Sequence, residues 1–442
     1  MKTVALINHS AQCGGAEQAL LRLLSGLRRE DGWVPVVFLQ ENGPLVSRLR
    51  DHSVETYVLP MGNSLSDTRR ASLTGAGMFQ PQKGVHALAH VGKLALLLRD
   101  RAVDLVHTNS MKAHVLGGMA ARMAGIPLVW HLRDSIEEAS LPLSAVRTMR
   151  ALARVLPERI LCVSQAVAGS IAGEAWKQRC SVVYDGLQPE AFESPAHPEP
   201  RAVIRIGMVG RFSPWKGQHL FLEAAGILRA RGVAAQFELC GSPLFGEDAY
   251  AEGLKTQAQA LGIHSDVYFS GWVGDVCRRI RQWDICVHAS TLPDPCPNVV
   301  LESMAAGVPV VGSRGGGVPE LLENGGCGEL FPMGDARALA AALEDLAQDT
   351  QKRRRLASRA RERALQCFRS ERVVREVLAI WNQQRTRRPQ PLGSPFGPLD
   401  GAPPRGGHLQ TGSPCLCGET SASPARTARS AGNEIIGKPL GL

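Results

Sequence analysis

Ile206-Gly207-Met208-Val209-Gly210-Arg211-Phe212-Ser213-Pro214-Trp215-Lys216-Gly217-Gln218 reads as an apolar strand, a glycine-punctuated turn and the start of a helix. A strand that hands over directly to a helix opens a βα unit, and repeated units build a parallel sheet with helices on both faces. A helix start presents unpaired N–H groups and the positive end of the helix dipole, and Arg211 and Lys216 add two cations at the same mouth. That suits a diphosphate. A surface turn with solvated cations would carry the same residues. Arg offers phosphate oxygens a bidentate fork, whereas Lys acts as a flexible point charge.

The same rhythm runs outward in both directions. Upstream, Thr3–Asn8 predicts a strand, Gly14-Gly15 a turn and Ala16–Leu27 a helix. Val34–Leu39 and Val54–Leu59 read as strands around a helix at Pro44–Asp51. Asp104–His107, Pro127–His131, Leu161–Val163 and Ser181–Tyr184 continue the series, with a small-residue helix at Ala113–Ala124. Downstream, Val203–Val209, Phe237–Cys240, Val267–Ser270, Ile285–His288 and Val308–Val311 form a second series, closed by a helix at Glu371–Gln384.

Residues 62–83 break the pattern with Ser, Thr, Gly and Pro and read as a mobile loop bordering a site. A Pro-, Glu- and His-rich linker, Ser194 to Pro200, separates the two series. The expected organisation is therefore one α/β domain over 1–194, a second over 195–384 whose last helix packs back on the first, and a Pro-, Gly- and Ser-rich tail over 385–442 that lacks apolar periodicity and reads as disordered.

Composition narrows the class. With 44% hydrophobic and 21% charged residues over 442 positions, the body is ordinary globular protein with length for two cores. The chain carries 50 Lys and Arg against 41 Asp and Glu, but seven basic and three acidic residues beyond 384 account for +4 of the excess. The +5 left for the body suits anionic ligands, an anionic membrane surface or plain solubility, and the basic run Lys352–Arg355 reads as a solvated helix face rather than a nucleic-acid patch. Eleven cysteines without a CxxC pair read as free thiols in a reducing compartment, with Cys415 and Cys417 as incidental tail residues rather than metal ligands. The N-terminus lacks a signal-peptide pattern and no apolar run approaches a membrane span, so a cytoplasmic protein is expected.

A second chemical stretch is Leu292-Pro293-Asp294-Pro295-Cys296-Pro297-Asn298-Val299-Val300-Leu301-Glu302-Ser303-Met304-Ala305-Ala306-Gly307. Asn298 is a favourable N-cap, which leaves Asp294 on the preceding loop and Glu302 about one turn inside the helix. An unpaired carboxylate in an apolar helix is costly, so Glu302 requires either a hydroxyl-bearing ligand such as ribose or a structural ion pair. Asp294 could equally stabilise its turn.

These stretches resemble the retaining family 4 glycosyltransferases of the GT-B fold. The resemblance rests on Gly210-Arg211 with Lys216-Gly217, on the acids Asp294 and Glu302 eight positions apart, on Gly315-Gly316-Gly317-Val318-Pro319-Glu320, and on Gly14-Gly15-Ala16-Glu17, all in the family's order over about residues 1–384. It implies two Rossmann-like domains facing a central cleft. It also implies transfer of a sugar from a nucleotide diphosphate-sugar donor, without metal or other cofactor and with retention, to a glycan, lipid-linked or small-molecule acceptor, as in polysaccharide biosynthesis.

Carried onto matching positions, Arg211 and Lys216 hold the donor diphosphate, Glu302 the ribose, and Asp294 the transferred sugar. The start of the helix at Asn298, Val299 and Val300 meets the distal phosphate, Gly15 lets backbone approach the donor or the acceptor, and His131 reaches the sugar. Two positions depart from the family: Asp294 replaces a Glu with a shorter arm, and Pro297 stands where Gly is frequent and removes an N–H.

The chain holds no Asp-x-Asp, which fits a leaving group stabilised by cations and helix dipoles instead of a metal. Residues near 187–202 and the final helix are the expected hinge for domain closure. Arg147, Arg150 and Arg154, at near-helical spacing, would touch anionic lipid headgroups or simply face solvent. Two other functions share the fold: a nucleotide-sugar 2-epimerase and a non-catalytic nucleotide- or glycan-binding module.

Overall fold

Both halves of the chain wind their strands in the same order. In the computed structural model, which describes residues 1–61, 81–171, 178–193, 202–244 and 246–384, seven strands form a first parallel sheet: β1 (Lys2–Asn8), β2 (Trp33–Leu39), β3 (Glu55–Val58), β4 (Leu105–Thr108), β5 (Leu128–Leu132), β6 (Arg159–Cys162) and β7 (Cys180–Val182). Their spatial order is β3-β2-β1-β4-β5-β6-β7, and the chain reverses its direction of travel between β1 and β4. The second sheet holds β8 (Ile204–Val209), β9 (Ala235–Cys240), β10 (Val267–Gly271), β11 (Ile285–His288), β12 (Val310–Ser313) and β13 (Glu329–Phe331), in the order β10-β9-β8-β11-β12-β13, again all parallel. Each is the doubly wound order in which ligands bind outside the carboxyl ends of the strands.

The central strands are mainly apolar because helices cover both faces, with Arg205 of β8 and His107 and Thr108 of β4 among the polar exceptions. In β1 the run Val4-Ala5-Leu6-Ile7 is fully buried. The strand expected at 308–311 begins later, at Val310, because Val308 completes the cap of the preceding helix through its N–H to Ser303 O at 3.0 Å. β13 is unannounced by periodicity. Residues 81–83, placed above with a loop, open the helix Pro81–Asp100; the rest of that loop (62–80), the linker (194–200) and the tail (385–442, with Cys415 and Cys417) lie outside the described residues. Every cysteine among the described residues is free.

The chain crosses between the sheets at two points that are bonded to each other. Leu187 N–H donates to Phe368 O at 2.7 Å, and Ser370 N–H donates back to Leu187 O at 2.9 Å. Beyond this bridge the helix Ser370–Asn382 leaves the second half and packs on the first sheet, where Val373, Val374, Val377, Ile380 and Trp381 join the core of Val4, Leu6, Leu20 and Trp33. Trp381 is fully buried, meets Trp33 edge to face at 5.6 Å and donates its indole N–H to His107 Nδ1 at 3.1 Å. Arg361 and Arg281 clamp the other crossing by donating to carbonyls of Phe192 and of Glu190 and Ala191.

This packing predicts that Trp381→Ala costs about 3–5 kcal/mol, the usual range for emptying a large buried aromatic. Urea unfolding of the full chain measures it, and a loss below about 1 kcal/mol would contradict the assignment of this helix to the first core.

Candidate functional site

Segments that follow strands in the two halves touch each other: Asn298 and Glu302 of the second half reach Gly15 and Arg22 of the first, and Glu320 reaches Gln165 and Ala166. On the second half, β8 ends in the turn Pro214–Lys216, Gly217 and the helix Gln218–Ala230. Gly217 has φ +79°, and a Cβ there would stand 1.9 Å from Ala289 O, so only glycine lets the turn lie against the end of β11. This places the Lys216 ammonium 2.6 Å from Asp294 Oδ2 and over the Trp215 ring at 4.1 Å. Gln218, wholly buried, donates to Arg211 O at 2.9 Å and fixes the Arg211 backbone at the same turn.

Asp294 is buried with three side-chain partners at Oδ2: Lys216, His288 and Ser290. Besides Lys216, His288 Nε2 lies 3.2 Å from its Oδ2, and Ser290 bonds the same imidazole nitrogen at 3.0 Å. Burial alone would raise the carboxyl pKa, but Lys216 and His288 outweigh it and hold the group well below the ordinary carboxylate range. Gly316, at φ +58°, packs so closely on Asp294 that a Cβ would reach 2.1 Å from its carbonyl oxygen, and Gly317 N–H bonds that carbonyl at 2.8 Å. The loop is thus pinned from both sides.

The helix Asn298–Ala306 corrects one expectation. Pro297, not Asn298, occupies the N-cap position, and none of the described side chains caps the helix. Proline's fixed φ suits the extended cap backbone, and the Asn298 side chain is drawn across the cleft instead: its Nδ2 donates to Gly15 O at 3.3 Å, and its Oδ1 accepts from Arg22 Nη1 at 2.9 Å. Glu302 is in an ion pair, Arg22 Nη2 to Oε1 at 2.5 Å. Of the N–H groups at the start of this helix, Val300 bonds Pro297 O at 3.0 Å, so the donor end is narrower than Val299 and Val300 together. A Cβ on Gly15 would stand 3.2 Å from Asn298 Nδ2, so the glycine's bareness here serves the contact between the halves.

His131 sits at the end of β5, 1% exposed, and among the described residues neither ring nitrogen has a hydrogen-bond partner. It lines a small cavity together with Arg22, Arg133, Asp185 and Ser370. Arg133 forms a buried ion pair with Asp185 and donates to Asn109 Oδ1 at 2.6 Å. A second cross-contact comes from Glu320, whose carboxylate accepts from the N–H groups of Gln165 at 2.9 Å and Ala166 at 3.1 Å and from Tyr184 OH at 3.0 Å. It sits at the N-terminus of the helix Gln165–Ser170, where a negative charge is favoured.

Sequence reasoning missed Arg22, Arg133, Asp185 and His288, and quoted Glu320 without a role. Arg150, grouped above with Arg147 and Arg154 for lipid headgroups, is committed elsewhere: its guanidinium donates to Ser170 O and Ile136 O. Only Arg147 and Arg154 are exposed. Among the described residues no helix is long and apolar enough to cross a membrane.

The fold and these motifs match known proteins. The family model described as Glycosyltransferase Family 4 matches residues 13–191, and that described as Glycosyl transferases group 1 matches residues 189–363. The chain is 29% identical over 224 residues to the lipopolysaccharide core biosynthesis glycosyltransferase LpsE of Rhizobium meliloti, covering 50% of this chain and 63% of that protein. It is 29% identical over 293 residues to the D-inositol 3-phosphate glycosyltransferase of Streptomyces avermitilis, covering 60% and 62%. The chain thus spans a little over three-fifths of the length of these curated relatives. Among solved structures, Anabaena HepE in complex with UDP and glucose superposes with a TM-score of 0.73 at 26% identity, over 87% of this chain and all of HepE.

Four buried imidazoles set a pH dependence, His90 among them, held down by burial and by Lys93. Burial first, then Arg133, holds His107 and His131 down, and His114 is held down by burial and by its histidine neighbours; His107 and His114 fall to about 3 from 6.5. The unfolded chain takes up protons on these rings below about pH 6.5 while the folded chain does not, so stability declines as pH falls from there toward 3. The slope approaches about 1.4 kcal/mol per pH unit for each ring that titrates in full. Urea midpoints between pH 7 and pH 5 should therefore drop, and drop less steeply in His131→Phe, whose ring nitrogens have no partner to lose; an unchanged slope would contradict the burial argument.

Proposed function

Since this chain belongs to the family 4 glycosyltransferases of the GT-B fold, we propose that it transfers a hexosyl group from a nucleotide diphosphate-sugar to a hydroxyl of a glycan or lipid-linked acceptor, with retention and without metal. One observation carries the reading. Lys216 is paired with a buried carboxylate and stacked on an indole at a strand-to-helix turn shared with Arg211, directly beside the helix that bears Asn298 and Glu302.

In this reading the diphosphate meets Arg211 and Lys216, and the buried Asp294 keeps the ammonium aimed. Glu302 accepts from the ribose, Asp294 from hydroxyls of the sugar, and Val299 offers an N–H to the distal phosphate. Transfer breaks the bond between the anomeric carbon and the diphosphate oxygen, forms one to the acceptor oxygen, and passes the acceptor's proton to the departing phosphate. The negative charge that grows on the diphosphate is met by cations already in place, which lowers the barrier. His131 faces the sugar from the first half across the cavity it shares with Arg133. The bonded crossings at Leu187 and Phe368–Ser370 serve as the hinge, and closure keeps water from the donor. Exposed Arg147 and Arg154 would meet anionic headgroups where the acceptor is lipid-linked.

The test is a panel of nucleotide sugars incubated with the full chain in EDTA. A nucleoside diphosphate should be released in the presence of acceptor, and Arg211→Gln together with Lys216→Met should lower that release by at least about 100-fold, as loss of charge stabilisation at a leaving group does. Release that persists in the double variant, or scrambling at C2 of the sugar without release, would contradict the proposal.

A further inference from the structure

Glu302 is gripped from the opposite half of the molecule by a residue outside every motif described above. Arg22 stands two turns into the helix Gly15–Gly26, and its fork spans Asn298 Oδ1 at 2.9 Å and Glu302 Oε1 at 2.5 Å. Those two residues are one turn apart on the same helix face, the spacing a guanidinium fork bridges and an ammonium does not. Both side chains are largely withdrawn from water, 18% and 9% exposed, so the pair is less screened than a surface ion pair.

The grip is backed on its own side. Gln188, at the crossing between the halves, donates to Arg22 O at 3.1 Å and to Ser25 Oγ at 2.6 Å, and Asn298 answers with its bond to Gly15 O. Among the described residues Arg22 takes Oε1 of the carboxylate, which leaves Oε2 as an acceptor for a ligand hydroxyl. Without Arg22, Glu302 would be a lone carboxylate on an apolar helix with its rotamers released.

We propose that Arg22 is a positioning residue that fastens the first half of the molecule onto the helix Asn298–Ala306 and orients Glu302 for a ribose, so that closing the cleft and building the ribose site are one event. The ribose part rests on the reading of Glu302 given above; the fastening does not. It also accounts for the charge on an otherwise ordinary amphipathic helix.

The experiment compares the full-length wild type with Arg22→Lys, Arg22→Ala and the exchanged pair Arg22→Glu with Glu302→Arg, using small-angle X-ray scattering without ligand and donor kinetics, after urea unfolding has shown which variants fold. Arg22→Ala should expand in solution and raise the donor KM by about tenfold or more, the loss of a charge-assisted bond, with a much smaller change in kcat. Arg22→Lys, which is expected to fold in any case, should fall between. The exchanged pair should recover the wild-type scattering while still failing to bind nucleotide, because closure returns and the ribose acceptor does not. Wild-type scattering together with a wild-type donor KM in Arg22→Ala would overturn the proposal, as would an exchanged pair that stays expanded. A wild type that binds no nucleoside diphosphate would remove the ribose role along with the functional reading, and the scattering then decides the fastening alone.

Discussion

A parallel sheet wound from βα units delivers every strand-to-helix turn, and with it every helix N-terminus, to one edge. When segments that follow such strands in two halves touch, residues hundreds of positions apart become neighbours, and their charges must settle with one another before any ligand arrives. Arg22 with Glu302 is that settlement between the halves, and Lys216 with Asp294 is its counterpart between two turns of the second half. A carboxylate as buried as Asp294 is tolerable only beside a cation, and the cation beside it is held in the one place where a second anion would also be welcome. Sequence segments that look like independent turns are therefore bound to each other by electrostatics.

The same logic joins the halves elsewhere. Glu320 of the second half neutralises the N-terminus of a helix in the first, and the two crossings are hydrogen-bonded side by side. The final helix then commits its apolar face to the first core, so the chain is stitched at its end as well as at its middle. A cleft bordered by polar contacts and hinged on two adjacent strands of chain can open without exposing either hydrophobic core, which is what admitting a ligand requires.

Much of this was legible in the linear chain, for physical reasons. Buried parallel strands are short apolar runs bounded by turn residues, and twelve of them announce themselves as such, whereas Glu329–Phe331 is three residues long and begins with a charge, too short for any period to show. Arg211, Lys216 and Asp294 could be named because cations and an acid at turns stand out against their surroundings. Glu302 showed that it needed a partner but not which one: Arg22 lies on an amphipathic helix where an arginine is unremarkable, and long-range pairing leaves no mark in local spacing. Asn298 misled for a related reason. Its propensity to cap a helix is a local preference, and the demand for a hydrogen bond across the cleft overrode it.

What stands or falls with the whole account is that the diphosphate, rather than the base or sugar, supplies the main grip on the donor. Calorimetric titration of each nucleoside diphosphate against its own nucleoside measures this directly. Two charge-assisted contacts of about 1.5–3 kcal/mol each predict that the bound diphosphate outcompetes its nucleoside by about 100-fold or more, with the gap shrinking as salt is added. Equal affinity for the pair, insensitive to salt, would contradict it.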